Sequence, residues 1–250
     1  MSKIICITGS SGGIAKEIQT KLLQNDNVKI YGCSRKKFSF KHKNYFHQTL
    51  DASNQKSAKK WFKEIFTKEK KIDILICLAG STKGGNLVFN LKNDEDFNSN
   101  LNDALKSTIV CNREVIKYFI KNQSGSIINF SSIACKKNLI GSSIYSSAKS
   151  AVTTFTKILA KENIKFKMNA NIIIPMLIEN ADTKKRSKKW KNSILSLQDT
   201  VDDKNIDTIV DLILFLNKKN FSIMIFKIPE IKNNKPLTIG GLKKYLKGKI

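Results

Sequence analysis

Short runs of apolar residues alternate along this chain with longer stretches in which apolar positions recur every three or four residues. The first run, Lys3–Thr8, ends at Gly9-Ser10-Ser11-Gly12-Gly13, after which Ile14, Ile18, Leu22 and Leu23 fall at helical spacing. Val28–Ser34 and Tyr45–Leu50 read as further strands, and Asn54–Lys68 as an amphipathic helix with Trp61, Ile65 and Phe66 on one side. Ile72–Leu78 is continuously apolar, as fully buried parallel strands are, and stops at Ala79-Gly80. Lys83–Asn98 is polar and reads as an irregular excursion. Leu101–Lys121 reads as one long helix with Ala104, Leu105, Ile109, Val115, Ile116 and Phe119 as its apolar positions. Gly125 opens a strand that ends at Ser132, Tyr145–Lys161 is a helix with Val152, Phe155, Ile158 and Leu159 inward, and Lys167–Ile174 is a strand stopped by Pro175. Met176–Leu197 is polar and basic, Ile206–Leu216 is helical, and either Phe221–Ile228 or Leu237–Ile239 supplies a last strand. Strands alternating with helices throughout imply an α/β fold, a doubly wound parallel sheet with helices on both faces.

Composition changes this picture little. The 250 residues suit one domain spanning 1–250, and 41% apolar with 26% charged residues is ordinary for a globular chain. The net charge of +25 raises nucleic acid as a partner. Its distribution argues against one, because lysines are scattered through nearly every segment without the interleaved aromatics of a stacking platform. One local run, Lys184–Lys191, stands out. Five cysteines with no C-x-x-C pattern suit buried thiols in a reduced, cytoplasmic chain. His42 and His47 form no metal-ligand pattern, so no metal site is assigned. A first strand so close to Met1 leaves no signal peptide to expect, and no apolar run reaches the ~20 residues of a membrane span.

Three places carry chemistry. Strand, glycine turn and helix at 3–23 is the order a dinucleotide pyrophosphate needs, since glycines admit close backbone approach and a helix N-terminus offers unpaired N–H groups. The second strand ends in Ser34-Arg35, where an acidic residue would accept from a ribose 2′-hydroxyl and a cation would hold a 2′-phosphate; this favours NADP(H) over NAD(H). Tyr145 and Lys149, four apart on a helix, share one face, and an ammonium beside a phenol is expected to pull its pKa down toward neutrality. Ser132, at a strand end, is placed to hold a substrate oxygen against the Tyr.

Together these motifs resemble the short-chain dehydrogenase/reductase family in its single-domain form, and among its members the 3-oxoacyl-[acyl-carrier-protein] reductases, over nearly the whole chain. Thr8-Gly9-Ser10-Ser11-Gly12-Gly13-Ile14-Ala15 is similar to the family's T-G-x-x-x-G-x-G turn with Ala15 for the last glycine; it can also be read as T-G-x-x-G-x-x-A, the form in longer relatives acting on sugar nucleotides. Asp51-Ala52 resembles the pair that contacts adenine, Leu78-Ala79-Gly80 stands for N-A-G, and Pro175-Met-Leu-Ile178-Glu-Asn180 for P-G-x-x-x-T. The resemblance implies a Rossmann-type fold in which Gly9, Ser11, Gly13, Ile14, Ser34, Arg35, Asp51, Ala52, Ala79, Gly80, Tyr145, Lys149, Pro175 and Ile178 bind the cofactor. Ser132, Tyr145 and Lys149 would be catalytic, in reduction of a ketone or oxidation of a secondary alcohol. It implies a homodimer or homotetramer, a lid over about 176–197, and a 3-oxoacyl or keto-sugar substrate, anionic or carrier-bound where it meets the basic run. The family's catalytic Asn falls at Ala104; either Asn102 replaces it through a shifted register or the proton relay differs. A non-catalytic nucleotide-binding scaffold is the alternative those departures suggest.

Overall fold

A computed structural model describes residues 2–80, 88, 94–137, 139–175, 209–214 and 225–228. Seven strands form one wholly parallel sheet: β1 (Lys3–Thr8), β2 (Val28–Ser34), β3 (Tyr45–Thr49), β4 (Ile74–Cys77), β5 (Gly125–Phe130), β6 (Met168–Pro175) and β7 (Ile225–Ile228). Their order is β3-β2-β1-β4-β5-β6-β7, so the winding reverses between β1 and β4. Connections on either side of that point leave in opposite directions and open a crevice at the strands' C-terminal ends. Of the two candidate last strands, Ile225–Ile228 pairs with β6; 237–239 lies outside the described residues.

Side chains alternate across each strand and divide the core in two. Ile5, Ile7, Ile30, Ile74, Ile76, Ile128 and Ile173 point to α1 (Gly13–Leu22) and the helical residues 209–214. Ile4, Cys6, Cys33, Leu75, Cys77, Ile127 and Ala170 point to α2 (Gln55–Glu69) and to the long helices after β4 and β5. Helix α2 starts where its sequence says it should, since the Asn54 side chain accepts from the Ser57 amide at 3.0 Å.

The long helix after β4 departs from expectation. After α3 (Asp94–Asn100), residues Leu101–Lys106 form a π-helical turn, and α4 is Ser107–Asn122. The hydroxyls of Ser107 and Thr108 donate to the carbonyls of Asp103 and Ala104 at 2.6 and 2.8 Å, drawing those acceptors away from the regular ladder. The buried face is also more polar than its pattern suggested, with Leu105 and Ile109 only partly covered and Asn112 fully buried. Asn112 and Asn129 of β5 satisfy each other, Nδ2 to Oδ1 at 3.1 and 2.9 Å, and Thr156 takes a second proton of Asn129 at 2.9 Å. Following α5 (Ala134–Lys137), α6 (Ser143–Glu162) turns inward through Ala148, Lys149, Val152, Thr153, Thr156, Leu159 and Ala160. The expected inward Ile158 is instead 52% exposed. Buried threonines explain the rotated face: Thr153 and Thr156 return their hydroxyls to the Lys149 and Val152 carbonyls and so bury without loss.

All five thiols are free, and only Cys135 reaches the surface in part. Burial pushes the thiols of Cys6, Cys33, Cys77 and Cys111 up, which keeps them protonated and unreactive. A thiol reagent added to the native protein should therefore modify one cysteine, Cys135, and reach the other four only on unfolding. Mass spectrometry of the labelled peptides checks this.

Candidate functional site

The described residues expected to touch cofactor or substrate lie at the C-terminal ends of strands, on the turns that follow them, at the start of α1 (Gly13, Ile14) or on α6 (Tyr145, Lys149). Ile178, the 176–197 lid and the basic run 184–191 lie outside the described residues, as does most of the 83–98 excursion.

The glycine turn is built by close backbone approach. Gly9 has φ +68°, and a Cβ there would meet the Ala79 N and Leu78 C atoms at 2.7 and 2.8 Å. Thr8 Oγ1 accepts from the Ala79 amide at 3.2 Å, tying the end of β1 to that of β4. Gly12 caps α1 in an extended conformation with no side-chain cap hydrogen bond, so the helix begins directly at the glycine turn. The close backbone approach and the helix N-terminus beside it fit a dinucleotide pyrophosphate.

At the adenosine end, Ser34 is buried and its hydroxyl donates to the Lys36 carbonyl at 2.8 Å. His47, which carries no signal of a role in the sequence, sits beneath this loop. Its Nδ1 lies 3.3 Å from Ser10 Oγ and its Nε2 3.3 Å from the Lys36 carbonyl and 3.4 Å from Ser34 Oγ. A carbonyl only accepts, so Nε2 carries the proton and Nδ1 accepts, and the neutral ring joins the glycine turn to the ribose loop. Burial lowers the His47 pKa, which keeps that tautomer at neutral pH. Asp51 is exposed and its Oδ1 accepts from both the amide and the hydroxyl of Ser53 at 2.8 Å, while Ala52 is buried. Arg35 does not stand alone: its two terminal nitrogens pair with the two oxygens of Asp103, each at 2.8 Å.

The reactive end joins β5, α5 and α6. The Ser132 hydroxyl is close enough to the Tyr145 phenol to lower its pKa, and it accepts from the Ala134 amide at 3.2 Å. Lys149 is 4% exposed, donates to the Phe130 carbonyl at 2.8 Å, and lies 5.9 Å from the centre of the Tyr145 ring. Ser131, between them, donates to the Lys149 carbonyl at 3.0 Å and accepts from Thr153 at 2.8 Å, which locks α6 against β5. Gly80 leaves the space beside Lys149: a Cβ there would lie 3.4 Å from Nζ and 3.8 Å from Ala104 Cβ. Ala104, fully buried, is thus the residue that faces this corner, and the π-helical turn puts no amide in its place.

The expected fall in the Tyr145 pKa is not found. Burial raises it, outweighing the Ser132 hydroxyl that lowers it, and Cys135 adds to the rise. The Lys149 ammonium is itself penalised by burial, to a pKa of about 8, so it brings less charge to the pair than an exposed lysine would. In the unfolded chain Lys149 titrates near the ordinary lysine value, so the unfolded state holds more protons between about pH 8 and 10.5 and stability rises with pH across that window. Relative to a Lys149→Met variant, the wild type should gain on the order of 3 kcal/mol over that range, read from denaturant unfolding at several pH values. A pH-independent difference would place Lys149 in solvent.

Comparison with known proteins agrees with this geometry. The short chain dehydrogenase profile matches residues 3–192. A 3-oxoacyl-[acyl-carrier-protein] reductase, FabG, of Buchnera aphidicola is 30% identical over 230 residues, 88% of this chain and 92% of its own. Carbonyl reductase family member 4 of Xenopus laevis is 31% identical over 205 residues, 79% of this chain and 84% of its own. In three dimensions the chain superimposes on ElxO with NADP bound, with a TM-score of 0.81 over 91% of this chain and 97% of that one, at 24% identity. The fold and crevice are those of a doubly wound, dinucleotide-binding α/β protein. The chain belongs to the short chain dehydrogenase family of oxidoreductases.

Proposed function

We propose that this protein is an NADP(H)-dependent reductase of a ketone, with Ser132, Tyr145 and Lys149 as its catalytic residues. The observation that carries this reading is the meeting of Ser132, Tyr145 and buried Lys149 beside the glycine cradle, with Lys149 5.9 Å from the Tyr145 ring centre and anchored to the Phe130 carbonyl. The nicotinamide, when bound, supplies the hydride. Gly9, Ser11, Gly13 and Ile14 would hold its pyrophosphate, Ser34 and Arg35 the adenosine ribose, Asp51 and Ala52 the adenine, and Ala79, Gly80 and Pro175 the face of the crevice beneath it.

Ser132 orients the substrate oxygen toward the phenol. Tyr145, held protonated by burial, is suited to giving its proton to a carbonyl oxygen, which favours the reductive direction. Lys149 stabilises the phenolate left behind; its pKa of about 8 keeps it mostly charged at neutral pH. Relatives whose names describe 3-oxoacyl and carbonyl reduction support a keto substrate. The scatter of basic residues, with the run at 184–191, suits an anionic or carrier-bound one. The screen that tests this follows NADPH and NADH consumption in parallel across keto-acyl, keto-sugar and simple ketone substrates. Faster consumption of NADPH with one of these classes is expected, and equal or greater use of NADH would refute the cofactor assignment.

A further inference from the structure

Arg35 and Asp103 are 68 positions apart, and no pattern in the sequence joins them. Arg35 follows the end of β2, whereas Asp103 lies on the π-helical turn whose next residue, Ala104, faces Gly80 at the end of β4. In the sheet, β1 and its glycine turn lie between those two strand ends, so the ion pair spans the crevice at its adenosine side. The two contacts, both 2.8 Å, use one N–H from each terminal nitrogen in a fork-to-fork arrangement, and the other N–H donors of the guanidinium remain outside the pair. The partners are unequally covered. Asp103 is 8% exposed and the Arg35 side chain 59%, so the carboxylate is a fixed element and the guanidinium its outward face.

We propose that Asp103 limits cofactor selectivity by neutralising Arg35. This rests on the reading above, in which Arg35 meets the adenosine 2′-phosphate. A dianionic phosphate arriving there finds a guanidinium whose charge is already matched, and it also feels the carboxylate behind that cation. NADH, with a neutral 2′-hydroxyl, does not meet this restraint. Asp103 is therefore a specificity-determining residue: it holds the preference for NADPH below what Arg35 alone would give.

The test is equilibrium binding of NADPH and of NADH by calorimetry to the wild type, Asp103→Asn, Asp103→Glu and Arg35→Ala, each first checked for a wild-type melting profile. Asp103→Asn should tighten NADPH binding about tenfold at low ionic strength and leave NADH within about twofold, the gain shrinking as salt screens it. Asp103→Glu, which keeps the charge, should stay close to the wild-type ratio of the two affinities. Equal changes for both cofactors in Asp103→Asn, no change, or a selective weakening of NADPH would each overturn the proposal. Arg35→Ala addresses the underlying reading separately: it should weaken NADPH and spare NADH. An unchanged ratio in that variant would remove Arg35 from the 2′-phosphate site whatever Asp103 does.

Discussion

Tyr145→Phe should lower kcat for carbonyl reduction by about a thousandfold while the protein still binds NADPH and melts as the wild type does. The change deletes one oxygen and keeps the ring, so the packing of α6 against β5 is retained through Lys149, Ser131 and Thr153. What is lost is the phenol beside Ser132 and the proton it would give to the substrate oxygen. A large fall in kcat with little change in cofactor Kd is the signature of a group acting in the transition state rather than in binding. Stopped-flow or steady-state rates with a keto substrate, beside calorimetric NADPH binding, separate the two.

Gly9→Ala should be the most damaging single-methyl change near the site. It forces an L-residue into φ +68° and drives a Cβ to within 2.8 Å of backbone atoms of Leu78 and Ala79, which have no flexible side chain to move aside. The expected loss is about 3 kcal/mol or more, equivalent to a fall in Tm of roughly 10 °C for a chain of this size. NADPH should no longer raise the Tm, because β1 and β4 must separate to admit the methyl group and the first-turn amides of α1 move with them. A thermal melt with and without NADPH measures both. A wild-type melt that still shifts with NADPH would show that the turn tolerates a side chain.

The sequence carried the strands well because each central one is a short apolar run bounded by polar or glycine residues, and parallel strands buried on both faces have no other way to read. It carried the glycine turn and the Ser132–Tyr145–Lys149 constellation because these are local spacings. Features assembled from distant residues were invisible. Nothing near Arg35 announces Asp103, and nothing near Ser34 announces that His47 reaches both it and Ser10. The inward faces of α4 and α6 were misjudged for one shared reason: periodicity counts apolar residues, whereas these helices bury Asn112, Thr153 and Thr156, each satisfied by a partner that periodicity does not see. The pKa of Tyr145 went the other way because i, i+4 spacing gives proximity to Lys149 but says nothing of burial, and burial is the larger effect here.

Ala104 bears on how the proton relay is completed. It faces Gly80 and Lys149 with a methyl group, so any donor that re-protonates Tyr145 must come from elsewhere. Lys149 is anchored to the Phe130 carbonyl, which fixes its Nζ without the help of a side-chain amide. The Ser, Tyr and Lys geometry therefore stands independently of that relay.

The most direct measurement of the central proposal is NADPH oxidation by wild type and Tyr145→Phe, both saturated with NADPH, across keto-acyl, keto-sugar and simple ketone substrates. The proposed mechanism predicts consumption by the wild type with at least one of these classes and almost none by the variant. NADPH binding without consumption of any substrate by the wild type, or equal rates in the two proteins, would contradict it.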